Sequence, residues 1–335
     1  MTAGPEEIAA AVARLRAGGV VAFPTETVYG LGGDAMSADA VGRVFALKGR
    51  PATNPLIVHV SGEPMGRELA ATGAWSKDAA ALARAFWPGS LTIVVAKAGL
   101  VPPIVTGGGA TVGVRCPAHH ATLAMIEGFG GPVVGPSANP SGRVSPTTAA
   151  HVRASFGERD VLVLDGGPCR GGIESTVVSL AGPAPRVLRP GPVSVEQIAG
   201  VLGRAVERPP AGEVAPADEA AASPGMQARH YAPRTRAVLF EPAEEARVLS
   251  RVLSGGGRIA VISGGVSGVP PPHVHLRMPL DADGYAARLY AALREADELG
   301  VDLIAVERPN ESGTLWDAIR DRLSRAAAPA GQGTR

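Results

Sequence analysis

Short apolar runs recur through the first half of the chain, at 20–23, 56–60, 91–96, 111–115, 132–135, 160–164 and 174–180. Runs of this length bounded by Gly, Pro and polar residues read as strands rather than buried helices. Helical patterns fall between several of them, at about 38–48, 77–86, 118–127 and 147–155. Ile8, Val12 and Leu15 share one face of an opening helix that Gly18-Gly19 closes. Ser194-Val195-Glu196-Gln197 has the capping-box spacing and predicts a helix to about residue 202. Strands interleaved with helices bury a sheet between helical layers, so this region is expected to be a layered α/β domain with a mixed sheet, over residues 1–206.

From 207 to about 235 the texture changes to Pro, Ala, Gly and scattered charge, a linker composition. Beyond it, 237–240, 259–262 and 301–306 are strand-like and alternate with helical patterns at about 243–253, 283–298 and 314–326. A smaller, parallel, Rossmann-like α/β domain is expected over 236–330. It has no G-x-G-x-x-G after its first strand, so a dinucleotide there is not expected.

Several classes of function are disfavoured by composition. With 32 basic and 31 acidic residues the net charge is +1, so no global field draws the protein onto nucleic acid or an anionic membrane. Cys116 and Cys169 show neither C-x-x-C spacing nor a disulfide framework, and each reads as a small buried apolar residue in a reducing compartment. The N-terminal stretch carries Glu6, Glu7, Arg14 and Arg16 in place of an apolar core, unlike a signal peptide. A cytoplasmic protein is expected. No G-x-x-x-x-G-K-[ST] is present, and neither His119-His120 nor His273-x-His275 has the spacing of a structural zinc site. Gly135-Pro136-Ser137-Ala138-Asn139 lacks the closing glycine of a nucleophile elbow. Its hydroxyl and amide groups are better suited to gripping phosphate or sugar oxygens.

Other polar groups gather at strand ends. Lys48, one of only three lysines, stands two residues from Arg50 on a loop stiffened by Pro51 and Pro55. Either Lys48 complements a helix C-terminus while Arg50 is solvated, or the two cations meet a polyphosphate. His59 lies in an apolar strand, where a satisfied core histidine competes with a ligand-binding one. Arg115, Glu174-Ser175-Thr176 and Arg189 likewise mark strand termini, the last two on strands that look paired. Phe23 to Ala35 runs from a strand into Thr-Glu-Thr and a glycine-rich stretch, where Gly30, Gly32 and Gly33 are expected to turn the chain tightly. Hydroxyls, amides and arginines without an evident acid–base pair suit a cavity that positions anionic substrates electrostatically.

In order along the chain stand Pro-Thr-Glu-Thr-Val-Tyr-Gly-Leu-Gly, Lys-Gly-Arg-Pro with Asn-Pro-Leu-Ile-Val-His, Trp-Pro-Gly-Ser-Leu-Thr and Val-Arg-Cys-Pro. Pro-Ser-Ala-Asn-Pro-Ser-Gly-Arg-Val-Ser-Pro-Thr, Glu-Ser-Thr-Val-Val and Leu-Arg-Pro-Gly follow. Over about residues 5–235 the chain resembles the YrdC-like domain of L-threonylcarbamoyladenylate synthases. Ser-Pro-Gly-Met-Gln-Ala-Arg-His-Tyr-Ala-Pro at 223–233 resembles the linker of the family's two-domain form.

The resemblance implies a three-layer YrdC-like domain with a twisted mixed sheet. It implies the joining of L-threonine, bicarbonate and ATP into threonylcarbamoyl-AMP, with release of pyrophosphate and with magnesium on the triphosphate. The product would pass to a separate transferase that modifies tRNA, without stable tRNA binding by this chain. Thr27, His59, Arg115, Gly135 and Ser175 would hold threonine and its carbamate. Lys48, Arg50, Asn54, Thr111, Ser137, Ser145, Arg189 and His230 would hold ATP, with Lys48, Arg50 and Arg115 stabilising charge in place of a protein nucleophile. His230 lies in the linker, which is therefore expected to close over the cavity as a lid. Gly135 stands where the family often has alanine, and Gln227 and Ala228 where it often has a basic residue and an aromatic. The rival readings are a carbamoyl-adenylate-forming domain of a carbamoyltransferase and an RNA-binding module. The 4% aromatic content disfavours the latter as a main role.

Overall fold

In the computed structural model, the apolar runs of the first half assemble into one sheet of nine strands. The structure describes residues 3–157, 160–208, 229–244, 250, 256–265 and 268–329. The chain divides into two compact units, one of Met1–Ser141 with Pro146–Gln227 and a second of Gly142–Ser145 with Ala228–Arg335.

The strands of the first unit are β1 (Val20–Phe23), β2 (Gly30–Asp34), β3 (Ile57–His59), β4 (Leu91–Ala96), β5 (Thr111–Arg115), β6 (Val133–Val134), β7 (Val161–Val163), β8 (Thr176–Ser179) and β9 (Arg186–Arg189). They lie in the order β7-β1-β2-β6-β3-β5-β4-β8-β9. β1–β7, β3–β5 and β4–β8 pair parallel. β1–β2, β2–β6, β3–β6, β4–β5 and β8–β9 pair antiparallel, so the sheet is mixed as expected.

Two apolar clusters account for the layers. Along β1, Val20 and Ala22 belong to one cluster while Val21 and Phe23 belong to the other, as alternation across a pleated strand requires. Helices α1 (Pro5–Arg16) and α5 (His120–Phe129) cover the Phe23 side through Val12, Leu15, Met125 and Ile126. The opposite side packs α2 (Ala38–Lys48), α4 (Lys77–Phe86), α6 (Ala149–Phe156) and α7 (Val195–Leu202). The short α3 (Glu63–Glu68) was not anticipated from the sequence. Ser37, Ser76, Thr148 and Ser194 cap α2, α4, α6 and α7 by accepting backbone N–H bonds, which fixes where each helix begins.

The tight turn expected at Gly30–Gly33 is instead the strand β2. A glycine-rich strand persists here because the ring of Phe23, on the neighbouring strand, occupies the space of missing side chains. A Cβ on Gly30 would come within 2.8 Å of that ring and one on Gly32 within 2.6 Å. Glycine is tolerated in a strand where another group approaches this closely.

In the second unit β10 (Ala237–Phe240), β11 (Ile259–Ser263), β12 (Val274–Arg277) and β13 (Leu303–Glu307) lie in the order β10-β13-β11-β12. All pairings are parallel. Phe240, Ile259, Val261 and Ala305 form its core cluster, with α8 (Ala282–Glu298) and α9 (Thr314–Ala326) as its long helices. β12, which no apolar run predicted, begins just after Pro270–Pro272 and carries His275 of His273-x-His275. Pairing with β11 overrides the local proline signal, and His275 Nε2 lies 2.9 Å from Ser263 Oγ across that pair. Of the expected helix at 243–253, Pro242–Glu244 forms a 3-10 turn and residues 245–249 and 251–253 lie outside the described residues, as does most of the expected lid, 209–228 with Gln227 and Ala228.

Candidate active site

The sheet topology brings the strand-end residues together. β3 and β5 run parallel with His59 opposite Arg115, so both side chains leave the sheet at the same edge. β6 pairs with β3 on its other side, which sets Gly135 beside His59; Gly135 N–H donates to Ile57 O at 2.9 Å.

The Thr-Glu-Thr turn follows β1. Thr25 Oγ1 accepts from the backbone N–H groups of Thr27 (3.1 Å) and Val28 (3.2 Å) and donates to Val28 O at 2.7 Å. A hydroxyl has one proton, so at its 2.8 Å contact with Thr25 Oγ1 the Thr27 hydroxyl must be the donor. Thr27 Oγ1 in turn accepts from Arg115 Nη2 at 2.9 Å. The same Nη2 donates to Glu26 Oε1 at 2.5 Å, and Arg115 Nε donates to Gly89 O at 3.1 Å. Two of the three guanidinium nitrogens of Arg115 are thus engaged within the protein, and Nη1 makes no hydrogen bond among the described residues. Glu26, to which the sequence assigned no role, thus stands in the cluster. Burial opposes its ionisation, but the Arg115 guanidinium and the hydrogen bonds it receives hold its carboxyl below the usual range.

His59 is buried, and its Nδ1 has no hydrogen-bond partner among the described residues. Its ring meets Phe23 edge-on at 5.5 Å between centroids. Burial, and then the neighbouring Arg115, push its pKa down to about 3, so the imidazole is neutral at physiological pH. An unpaired polar atom in a buried position costs stability and marks a place where a ligand could supply the missing bond. Gly135 has room for this ring only because it lacks a side chain: a Cβ there would overlap His59 Nδ1 and Cε1.

Ser175 precedes β8 and is fully buried. Its hydroxyl lies 2.9 Å from Thr92 Oγ1 and accepts from Arg189 Nη2 at 3.1 Å, while Arg189 Nε and Nη2 donate to its carbonyl at 3.1 and 2.9 Å. Arg189, expected at ATP, therefore holds a residue expected at threonine.

The cations of the 48–55 loop are turned onto backbone. Lys48 Nζ is buried and donates to Ser137 O (2.5 Å) and Asn139 O (2.6 Å), while Ser141 N–H donates back to Lys48 O at 2.8 Å. Lys48 thereby ties the Pro-Ser-Ala-Asn-Pro-Ser loop to the end of α2. Burial, then the like charge of Arg50, lowers its pKa well below that of a free lysine. Arg50 donates to Asn54 O (3.3 Å) and Pro55 O (3.0 Å), closing its own loop. Asn54 is buried, and half-buried Thr111 opens β5 opposite Ala96.

Two residues expected at ATP belong to the second unit. Ser145 is buried there, and Arg294 donates to its carbonyl and to that of Val144. His230 is buried, with its ring edge-on to Tyr231 at 4.0 Å. Tyr231 adopts a left-handed φ of 60°, stacks on Tyr290 and lies under the Arg322 guanidinium, 5.3 Å from its ring centre.

Both cysteines are buried, and burial above all raises their pKa, to about 11 for Cys116 and about 12 for Cys169, which suits packing and not nucleophilic attack.

A family model described as telomere recombination, Sua5/YciO/YrdC, matches residues 13–191, and one for the C-terminal domain of threonylcarbamoyl-AMP synthase matches residues 193–328. The chain belongs to the Sua5/YciO/YrdC family. Among the relatives of this Sua5-family chain, the threonylcarbamoyl-AMP synthase of Pyrococcus abyssi is 39% identical over 323 residues, covering 93% of this chain and 92% of the relative. That of Bacillus subtilis is 40% identical over 330 residues, covering 96% and 93%. Among solved structures, P. abyssi Sua5 complexed with L-threonine superposes with a TM-score of 0.88 at 40% identity, covering 96% of this chain and 94% of that one. A double-alanine variant of the same protein gives a TM-score of 0.87 at 38% identity, with coverages of 96% and 92%.

Proposed function

We propose that this chain condenses L-threonine, bicarbonate and ATP into L-threonylcarbamoyl-AMP and releases pyrophosphate. The observation that carries the reading is the convergence of Arg115, Thr27, His59 and Gly135 at one sheet edge, in a chain that matches curated synthases over more than nine-tenths of its length. Arg115 supplies a cation for the threonine carboxylate, and the neutral His59 stands opposite it on the neighbouring strand. Ser175, fixed by Thr92 and Arg189, is assigned to threonine as well. Lys48, Arg50, Asn54, Thr111, Ser137, Ser145, Arg189 and His230 are assigned to ATP.

A carbamate formed on the threonine nitrogen is itself a nucleophile for the α-phosphate. The protein's task is then to hold anions in line, neutralise charge and exclude water. Magnesium is proposed as the companion of the triphosphate. Among the described residues no group of three or more His, Cys, Asp or Glu is arranged to hold a metal, so the donor set fits an ion carried by phosphate oxygens rather than one caged by the chain. The product is expected to pass to a separate tRNA-modifying transferase.

Pyrophosphate release from ATP tests the reading. It should require both threonine and bicarbonate, and the nucleotide product should carry the threonyl carbon skeleton. Equal release without threonine, or with any amino acid, overturns the assignment.

A further inference from the structure

A carboxylate beside an anion-binding arginine weakens the pull on an incoming anion, so Glu26 at 2.5 Å from Arg115 needs a reason to be there. Its side chain is held more firmly than that of a casual surface partner. Oε1 accepts from Arg115 Nη2 and from Ser90 Oγ (3.0 Å), and Oε2 accepts from Ala118 N–H (2.9 Å). Its carbonyl accepts from Gly171 N–H at 2.7 Å. The side chains of the pair are 5% (Arg115) and 17% (Glu26) exposed, so neither is free to reorient in solvent.

A guanidinium has five N–H groups. Glu26 and Thr27 take the two on Nη2 and Gly89 O takes the one on Nε. The two on Nη1 make no hydrogen bond among the described residues. Without Glu26, the Nη2 edge would keep only the Thr27 hydroxyl, and the guanidinium could turn about its stem.

We infer that Glu26 is a positioning residue of the amino-acid site: it fixes Arg115 so that Nη1 is the edge offered to the substrate carboxylate. The charge it removes from the field is offset by orientation, since a preset donor loses less freedom on binding. This rests on the placement of threonine at Arg115 proposed above.

Calorimetric titration of the full-length protein with L-threonine, with ATP titrated separately, tests the inference in Glu26→Ala, Glu26→Gln and Arg115→Ala. Glu26→Ala should weaken threonine binding about tenfold, as expected for loss of one charge-assisted contact. It should leave ATP affinity within twofold. Glu26→Gln retains an acceptor for Nη2 and should recover part of the loss. In the double variant Glu26→Ala/Arg115→Ala the first substitution should add nothing, because there is no guanidinium left to orient. If Arg115→Ala weakens threonine binding while Glu26→Ala leaves it unchanged, or if Glu26→Ala weakens threonine and ATP equally, the inference is overturned and the placement of threonine survives. Unchanged threonine binding in Arg115→Ala overturns the placement itself, and the inference with it. Should Glu26→Ala fail to fold, the near-isosteric Glu26→Gln carries the test: threonine binding equal to wild type in the presence of Arg115 overturns the inference.

Discussion

Gly135 and His59 act as one unit, because the ring of one fills the space that a side chain on the other would need. A methyl group at position 135 must displace the imidazole or the Phe23 ring behind it, and both are packed in the interior. Gly135→Ala is therefore expected to cost about 1–3 kcal/mol by overpacking. It should also raise the KM for threonine with little change in the KM for ATP. Denaturant titration and steady-state kinetics on the two substrates check both parts, and a wild-type profile in each would show that the ring has room the structure does not reveal. At this scale the sequence offered candidate residues and little of their wiring. Thr27, His59, Arg115 and Ser175 were singled out by motif, whereas Glu26 was left without a role. The signal was present in Thr-Glu-Thr, since two hydroxyls flanking a carboxylate suit a side-chain-capped turn. Its partner Arg115, however, is distant in sequence and becomes a neighbour only through strand order.

Among the elements, β1 and β2 show how tightly residue choice and pairing are linked. Phe23 lies on β1 and its ring covers the glycines of β2, so the pair is built from one large side chain and two absent ones. Gly32→Ala should destabilise the protein by about 1–3 kcal/mol through overpacking against Phe23. Combining it with Phe23→Leu should recover part of the loss, because the smaller side chain vacates the contact. Thermal unfolding of the two single variants and the double variant measures the coupling; strictly additive losses would mean that ring and glycine do not share the space. Such a strand is hard to read from sequence because it lacks the β-branched and aromatic residues that mark strands, and its glycines carry a turn signal instead. β12 was missed for a related reason: it follows directly on Pro270–Pro272 and is only four residues long, and its strand character comes from pairing with β11. Elements with strong caps and regular apolar spacing, such as α2, α4 and α7, were legible because their determinants are local.

For the whole molecule, burial of titratable groups makes stability depend on pH in a defined direction. His59 has a pKa of about 3 in the folded state against 6.5 in a free chain, so between those values the unfolded chain takes up a proton that the native state refuses. Glu26 is also depressed in the folded state, and the stability it contributes is lost as pH falls through its folded value. Both effects share one sign, and stability is expected to fall as pH drops below about 6.5. The melting temperature of His59→Phe should decline less steeply than that of the wild type between pH 7 and pH 5. Parallel declines would assign the acid sensitivity elsewhere. The alternation of strands and helices, the helix caps and the ordered motifs were enough by themselves to determine a mixed α/β domain followed by a smaller parallel one, and to single out strand ends as the candidate site. These features depend on neighbours along the chain, and proximity in sequence makes them readable. Which nitrogen of Arg115 remains open, which rings fill the space beside Gly135, that Lys48 grips the 137–139 loop, and that residues 142–145 group with the second unit were decided by tertiary structure. Each depends on which distant segments the sheet order makes adjacent, and that order is settled by burial of the whole apolar surface rather than by any local stretch.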